Sequence, residues 1–117
     1  MLIADDEPDI RALMVQVLRT ADVEIVGEAA DAEQTIALWR THRPDVVVLD
    51  HKMPPTSGFD VAKEILTEHP DQVIVLFTAF VDADVRAKAK QVGITVCVSK
   101  DRVFDIPDVM REHVNRA

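Results

Sequence analysis

Cysteine is nearly absent: Cys97 is the single thiol in 117 residues, so no internal disulfide can form. No apolar run exceeds the length of a strand, which excludes a signal peptide or membrane span and leads us to expect a cytoplasmic protein. Positive charge is scarce as well, 13 lysines and arginines against 21 aspartates and glutamates, giving a formal net charge of −8. A balance of that sign argues against this segment gripping phosphate backbones, so nucleic-acid binding is left to a partner or a further domain. Repeats, low-complexity stretches and linkers are missing, and the length suits a single domain over residues 1–117 with one core. The four histidines, His42, His51, His69 and His113, lack the paired spacing of a metal site and are expected at the surface. Trp39 is expected to pack rather than to recognise a ligand.

What the chain does have is alternation. Valine-rich apolar runs at Leu2 to Ala4, Val23 to Val26, Val46 to Leu49, Val73 to Phe77 and Thr95 to Val98 predict strands covered on both faces. Ile10, Leu13, Met14, Val17 and Leu18 recur at the spacing of an amphipathic helix begun near Pro8. Further helices are predicted from Ala32 to Thr41, capped by Asp31 with Gln34 three residues on, and from Phe59 to Glu68. Two more follow, Ala83 to Val92 before Gly93, and Ile106 to Asn115. Strand and helix alternate throughout, which predicts a doubly wound α/β fold: a five-stranded parallel sheet with right-handed crossovers and helices on both faces. In such a fold a ligand sits beyond the carboxyl ends of the strands.

The residues expected just after the strands are Asp5 and Asp6, Asp50, Thr78 and Lys100. Three carboxylates drawn to one edge repel one another, and a compact cation such as Mg²⁺ relieves that repulsion with an all-oxygen ligand set. A carboxylate flanked by a metal and an ammonium can attack a phosphoryl group, whose oxygens need cationic and hydroxyl partners. Asp50 is therefore expected to meet Mg²⁺ and Lys100. Bland roles exist for each residue taken singly. An Asp pair often caps a helix, a threonine favours strands, a lysine is usually at the surface, and Glu7 is an ordinary residue of a first helical turn that we leave outside the core site. Pro54 and Pro55 stiffen the loop after Asp50, and Gly58 is expected to supply a permissive backbone where the next helix begins.

The ordered motifs "ADDEP" (Ala4 to Pro8), "LDHKMPPTSG" (Leu49 to Gly58), "LFTA" (Leu76 to Ala79) and "VSKD" (Val98 to Asp101) resemble the receiver domains of two-component response regulators, over essentially the whole chain. The resemblance implies a flavodoxin-like strand order of 2-1-3-4-5. It also implies that Asp50 is the phosphoacceptor, that Asp6 and Asp50 bind Mg²⁺ with the backbone carbonyl of Lys52, and that Asp5 acts mainly through bound water. Thr78 and Lys100 would hold the phosphoryl oxygens. The implied partners are a sensor histidine kinase and, through the face of the fourth helix, fifth strand and fifth helix, a second copy or an output domain. Such a domain promotes its own aspartyl phosphorylation and dephosphorylation and is not a turnover enzyme. The fragment "VGEAAD", Val26 to Asp31, is similar to receivers joined to helix-turn-helix output domains of the LuxR/NarL type.

Three departures qualify the resemblance. Cys97 stands where most receivers have an aromatic residue that rotates with the threonine, so Phe80 and the fourth helix are expected to carry the switch from Thr78. The docking face is expected to carry Val85, Val92 and Val109 or their neighbours. Asp101 replaces the proline many receivers place after the lysine, and a trans Lys100–Asp101 bond is expected because a cis bond there costs roughly 3 kcal/mol. The first strand is short, and a few residues are expected to be missing before it. A phosphate-independent interaction module is the competing function, with Cys97 as its support. A turnover phosphatase with an aspartyl nucleophile is disfavoured, because Asp5-Asp6-Glu7-Pro8-Asp9 does not supply the D-x-D-x-[TV] pattern it needs.

Overall fold

The structure is a computed structural model that describes residues 1–114; Asn115, the expected end of the last helix, lies outside them. Five strands, β1 (Leu2–Ala4), β2 (Gly27–Ala29), β3 (Val46–Asp50), β4 (Val73–Thr78) and β5 (Val96–Ser99), form one parallel sheet in the order β2-β1-β3-β4-β5. This is the doubly wound sheet expected from the alternation, in the flavodoxin-like order that the resemblance implies. The connecting helices are α1 (Pro8–Thr20), α2 (Ala32–His42), α3 (Gly58–Glu68), α4 (Ala83–Val92) and α5 (Ile106–Val114). A short antiparallel hairpin pairs Lys52–Met53 with Thr56–Ser57 ahead of α3, and a 3₁₀ turn, Lys100–Asp105, follows β5.

The unbroken valine run of β3 divides its side chains between two cores. Val47 and Leu49 pack with Ile36, Trp39, Phe59 and Ile65 of α2 and α3, whereas Val46 and Val48 pack with Met14, Leu18, Val103 and Ile106 on the α1–α5 side. Each such side chain, fully buried, contributes roughly 1.5–3 kcal/mol relative to exposure. In α1 the buried residues are Met14, Val15 and Leu18, while Leu13 is pushed to the rim at 36% exposure, so the apolar face is turned toward Val15 relative to the expected stripe. Trp39 is a packing residue, as expected. Its indole N–H donates to Gln72 Oε1 at 2.9 Å, and the Gln72 amide donates in turn to the carbonyls of Pro44 and Asp45 at 3.1 and 3.0 Å.

The second strand is not where the valines predict it. Residues Val23 to Val26 lead into β2, and the ladder forms over Gly27–Ala29, in register with Leu2–Ala4. The apolar side chains of Val23 and Ile25 are satisfied by packing against the α1–α5 core and Val26 by the other core. Pairing instead follows β1, whose last residue must align with Ala29 for the Asp5 amide to donate to the Ala29 carbonyl at 3.0 Å. β-propensity here marked buried side chains and not the hydrogen-bonded segment. The helix starts follow their capping residues: Asp31 accepts from the Gln34 amide at 2.8 Å, Ser57 from Asp60 at 3.3 Å and Asp82 from Val85 at 2.8 Å. Gly93, with φ +103°, ends α4 in the left-handed conformation.

Two surface expectations need correction. Val85, Val92 and Val109 are partly buried and pack into the two cores, so they do not form an outward apolar face on α4, β5 and α5. The outward residues of α4 there are Arg86 and Lys90, beside the half-buried Cys97. His51 and His113 are half-buried rather than at the surface, the ring of His51 edge-on to Phe59 with centroids 5.0 Å apart.

Candidate functional site

Parallel pairing brings the ends of β1, β3, β4 and β5 to one edge of the sheet. Register sets Asp50 opposite Phe77 and Thr78 opposite Ser99, so both site residues are the last residues of their strands instead of the first beyond them. Asp50 is 3% exposed and Thr78 4% exposed. Gly58 lets the chain after β3 fold back this tightly: a Cβ added to it would stand 2.1 Å from the Asp50 carbonyl oxygen, and its amide donates to the His51 carbonyl at 2.7 Å. Its φ is not in the left-handed region, so the expectation of a permissive backbone is replaced by one of close approach.

Asp5 is fixed from several sides. Its amide donates to Ala29, its carbonyl accepts from the Arg11 guanidinium at 2.8 Å, and its Oδ1 accepts from the Glu7 amide at 2.8 Å. Arg11 is itself steadied by Glu28 at 3.5 Å. Lys100, the first residue of the 3₁₀ turn, brings its ammonium to 3.3 Å from Asp5 Oδ2, 3.3 Å from Asp50 Oδ1 and 3.0 Å from Glu7 Oε1. Thus Asp5, Asp6, Asp50, Thr78 and Lys100, the residues singled out in the sequence, do lie at one edge. The Lys100–Asp101 peptide is trans, as expected; the cis bond among the described residues is Pro54–Pro55.

The electrostatics are unfinished. Asp5 Oδ2, Asp6 Oδ1 and Asp50 Oδ2 are buried and accept no hydrogen bond among the described residues. One carboxylate oxygen from each of Asp5, Asp6, Glu7 and Asp50 lies within 4.8 Å of the others. Burial, then the adjacent Asp6 carboxylate and the charge of Asp5, push the Asp50 carboxyl up to about 7 against the opposing pull of Lys100. Burial also acts to lower the Lys100 ammonium, but the Glu7 hydrogen bond and then the charges of Asp5 and Asp50 outweigh it and hold the group above its ordinary value. Orphaned, buried, oxygen-only ligands with excess negative charge fit a hard divalent cation such as Mg²⁺.

The site opens into a cleft of about 310 Å³ lined by Glu7, Asp50, His51, Lys52, Thr78 and Phe80, among others. Phe80 stands at its rim, 79% exposed. Cys97 does not line it; it pairs in register with Leu76, and burial raises its thiol above the ordinary range, with Arg86 pulling the other way. Glu7 is the residue the sequence reading left out of the site. Its signal was present in "DDEP", where Glu7 follows the acidic pair directly, but a first-turn glutamate is too common to single out.

The response regulator receiver domain family model matches residues 1–111 of the chain. The transcriptional regulatory protein PdtaR of Mycobacterium tuberculosis (strain CDC 1551 / Oshkosh) is 38% identical over 110 residues, covering 94% of this chain and 52% of that protein. The chain therefore spans about half the length of that relative. A LuxR-family DNA-binding response regulator from Staphylococcus aureus is 27% identical, with a TM-score of 0.90 and 97% of each chain covered. The signal receiver domain of the response regulator NarL from M. tuberculosis is 28% identical, with a TM-score of 0.85 and 94% of each chain covered. With the acidic edge, the parallel strand order and these matches in agreement along nearly the whole length, the chain belongs to the receiver domain family of two-component response regulators.

Proposed function

We propose that the chain is a single phosphoacceptor domain, residues 1–117, in which Asp50 takes a phosphoryl group from a sensor histidine kinase in the cytoplasm. The observation that carries this reading is Asp50 itself: a buried carboxylate with Oδ1 beside Lys100, Oδ2 unpartnered, and an open cleft in front of it. A carboxylate oxygen of Asp50 forms the new P–O bond as the N–P bond of the donor phosphohistidine breaks, and that electron pair returns to the imidazole nitrogen. Thr78 and Lys100 hold the phosphoryl oxygens. Asp5, Asp6, Asp50 and the Lys52 carbonyl would hold Mg²⁺, which when bound supplies neutralising charge for those oxygens. The same groups orient water for hydrolysis of the acyl phosphate, so the domain limits its own phosphorylation without being a turnover enzyme.

The signal leaves through Thr78, Phe80 and α4, because Cys97 is too small to report the threonine's position as a ring would. The face of α4, β5 and α5, bearing Arg86 and Lys90, then meets a second copy or an output domain. The LuxR-family neighbour is a DNA-binding response regulator, and an output of that kind would supply the contact with nucleic acid that this acidic segment does not make. Incubation with a small acyl-phosphate donor should label the protein with Mg²⁺ present and not with a chelator, and hydroxylamine should remove the label, as it does from acyl phosphates. Label that survives hydroxylamine would contradict the reading. Activity of the full-length protein that persists without any label would favour the phosphate-independent module, which the loss of the aromatic at Cys97 supports.

A further inference from the structure

We infer that Glu7 is a positioning residue: it competes with Asp50 for Lys100 in the unmodified protein and must release the ammonium when a phosphoryl group arrives, so it sets the rate of phosphorylation. The inference rests on the reading of Asp50 as phosphoacceptor.

Lys100 Nζ lies closer to Glu7 Oε1, at 3.0 Å, than to Asp5 or Asp50, each at 3.3 Å, and it donates a hydrogen bond to Glu7. An ammonium has three donors, and here three carboxylates surround it. Of the three, Glu7 accepts the recorded hydrogen bond and Asp5 and Asp50 stand at ion-pair distance, so a phosphoryl oxygen on Asp50 that draws the ammonium toward itself does so against Glu7. The side chains of Asp5 and Asp50 are 0% and 4% exposed, while that of Glu7 is 58% exposed. A buried carboxylate that loses its cation is left uncompensated, whereas an exposed one is taken up by water. Glu7 is therefore the contact that breaks.

The placement of Glu7 is independent support. It occupies the residue before α1, where Ser, Thr, Asp or Asn would use its side chain to cap the helix, yet it makes no side-chain cap hydrogen bond. Pro8 keeps its backbone extended, φ −92° and ψ 111°, and its amide is pinned to Asp5 Oδ1 at 2.8 Å. The backbone is thus held by its neighbours, and the carboxylate, free of a capping duty, goes to Lys100. Removing the carboxylate leaves those main-chain contacts in place.

The test compares initial rates of labelling by a small acyl-phosphate donor at saturating Mg²⁺ for the wild-type protein, Glu7→Gln and Glu7→Asp, with Mn²⁺ affinity measured separately by paramagnetic broadening. Glu7→Gln should label about three-fold faster, the scale of one exposed charge contact. Glu7→Asp keeps the charge but falls short of Lys100, and it should label as fast as Glu7→Gln; the gain in both should persist at high salt, where long-range repulsion of the anionic donor is screened. Wild-type rates in both variants would overturn the inference. So would a gain confined to Glu7→Gln at low salt, which would make Glu7 a source of general repulsion. Slower labelling with weaker Mn²⁺ binding would also overturn it, making Glu7 a metal ligand. A wild-type protein that takes no label would instead overturn the phosphoacceptor reading on which the inference stands.

Discussion

Asp50 in the metal-free protein is a carboxylate that the fold would prefer to keep protonated. With its pKa pushed up to about 7, the folded protein holds that proton more tightly than the unfolded chain does, whose carboxylates titrate near 4. Between those limits the unfolded state binds fewer protons than the folded one, so the contribution of Asp50 to stability is greatest at low pH and is lost as pH rises to about 7. Asp50→Asn should remove this slope. Without divalent cation at pH 8, urea unfolding should show the variant more stable by roughly 1–3 kcal/mol, and the difference should shrink toward pH 5. A variant less stable than wild type at pH 8 would mean that Lys100 more than offsets the repulsion. At this scale the sequence was most legible where a polar residue ends an apolar run: Asp5, Asp6, Asp50, Thr78 and Lys100 each break such a run or closely follow one. Glu7 and Arg11 were not legible, because each has an ordinary helical role and only the fold brings Glu7 to Lys100 and Arg11 to the Asp5 carbonyl.

Among the elements, the turn from β3 through the hairpin into α3 is the least forgiving. A methyl group at residue 58 has no room, since the atom it meets at 2.1 Å is the Asp50 backbone oxygen and not the end of a flexible side chain. Gly58→Ala should cost about 3 kcal/mol or more, from overpacking and backbone displacement, and should slow phosphorylation because Asp50 itself must move. Denaturant unfolding and the labelling rate, taken together, check this. The segment from Thr78 to Val92 carries a second prediction. Phosphorylation adds close to two negative charges, and a Thr78 hydrogen bond to them draws the Thr78-Ala79-Phe80 stretch inward, biasing α4 by roughly 1–3 kcal/mol. Hydrogen exchange on beryllofluoride-treated protein should show altered protection over Thr78 to Val92; an unchanged pattern with the pocket filled would contradict the route through Phe80. Element positions were legible wherever apolar side chains and ladder hydrogen bonds coincide, as in β1, β3 and β4. They separate in β2, where Val23 and Ile25 are buried by packing while Gly27–Ala29 make the pairs. Valine content shows which side chains are buried, and register with the neighbouring strand shows which amides pair.

For the molecule as a whole, the parallel, doubly wound architecture was legible because alternating strand and helix restricts a chain of this length to parallel crossovers of one hand, while the strand order itself came with the family resemblance. The residues that face outward on α4 were less legible, since Val85 and Val92 pack against one core and Val109 against the other, leaving Arg86 and Lys90 exposed. Everything in the functional account depends on the whole sheet delivering one carboxylate, among four at its edge, to the incoming phosphoryl group. Geometry distinguishes Asp50 from the other three: it is the one that ends the central strand, and it lines the cleft together with its neighbours His51 and Lys52. Intact mass of the wild-type protein and of Asp50→Asn, each incubated with Mg²⁺ and a small acyl-phosphate donor, tests that assignment. The account predicts a gain of one phosphoryl group in the wild type and none in the variant; phosphorylation of Asp50→Asn to the wild-type extent would contradict it.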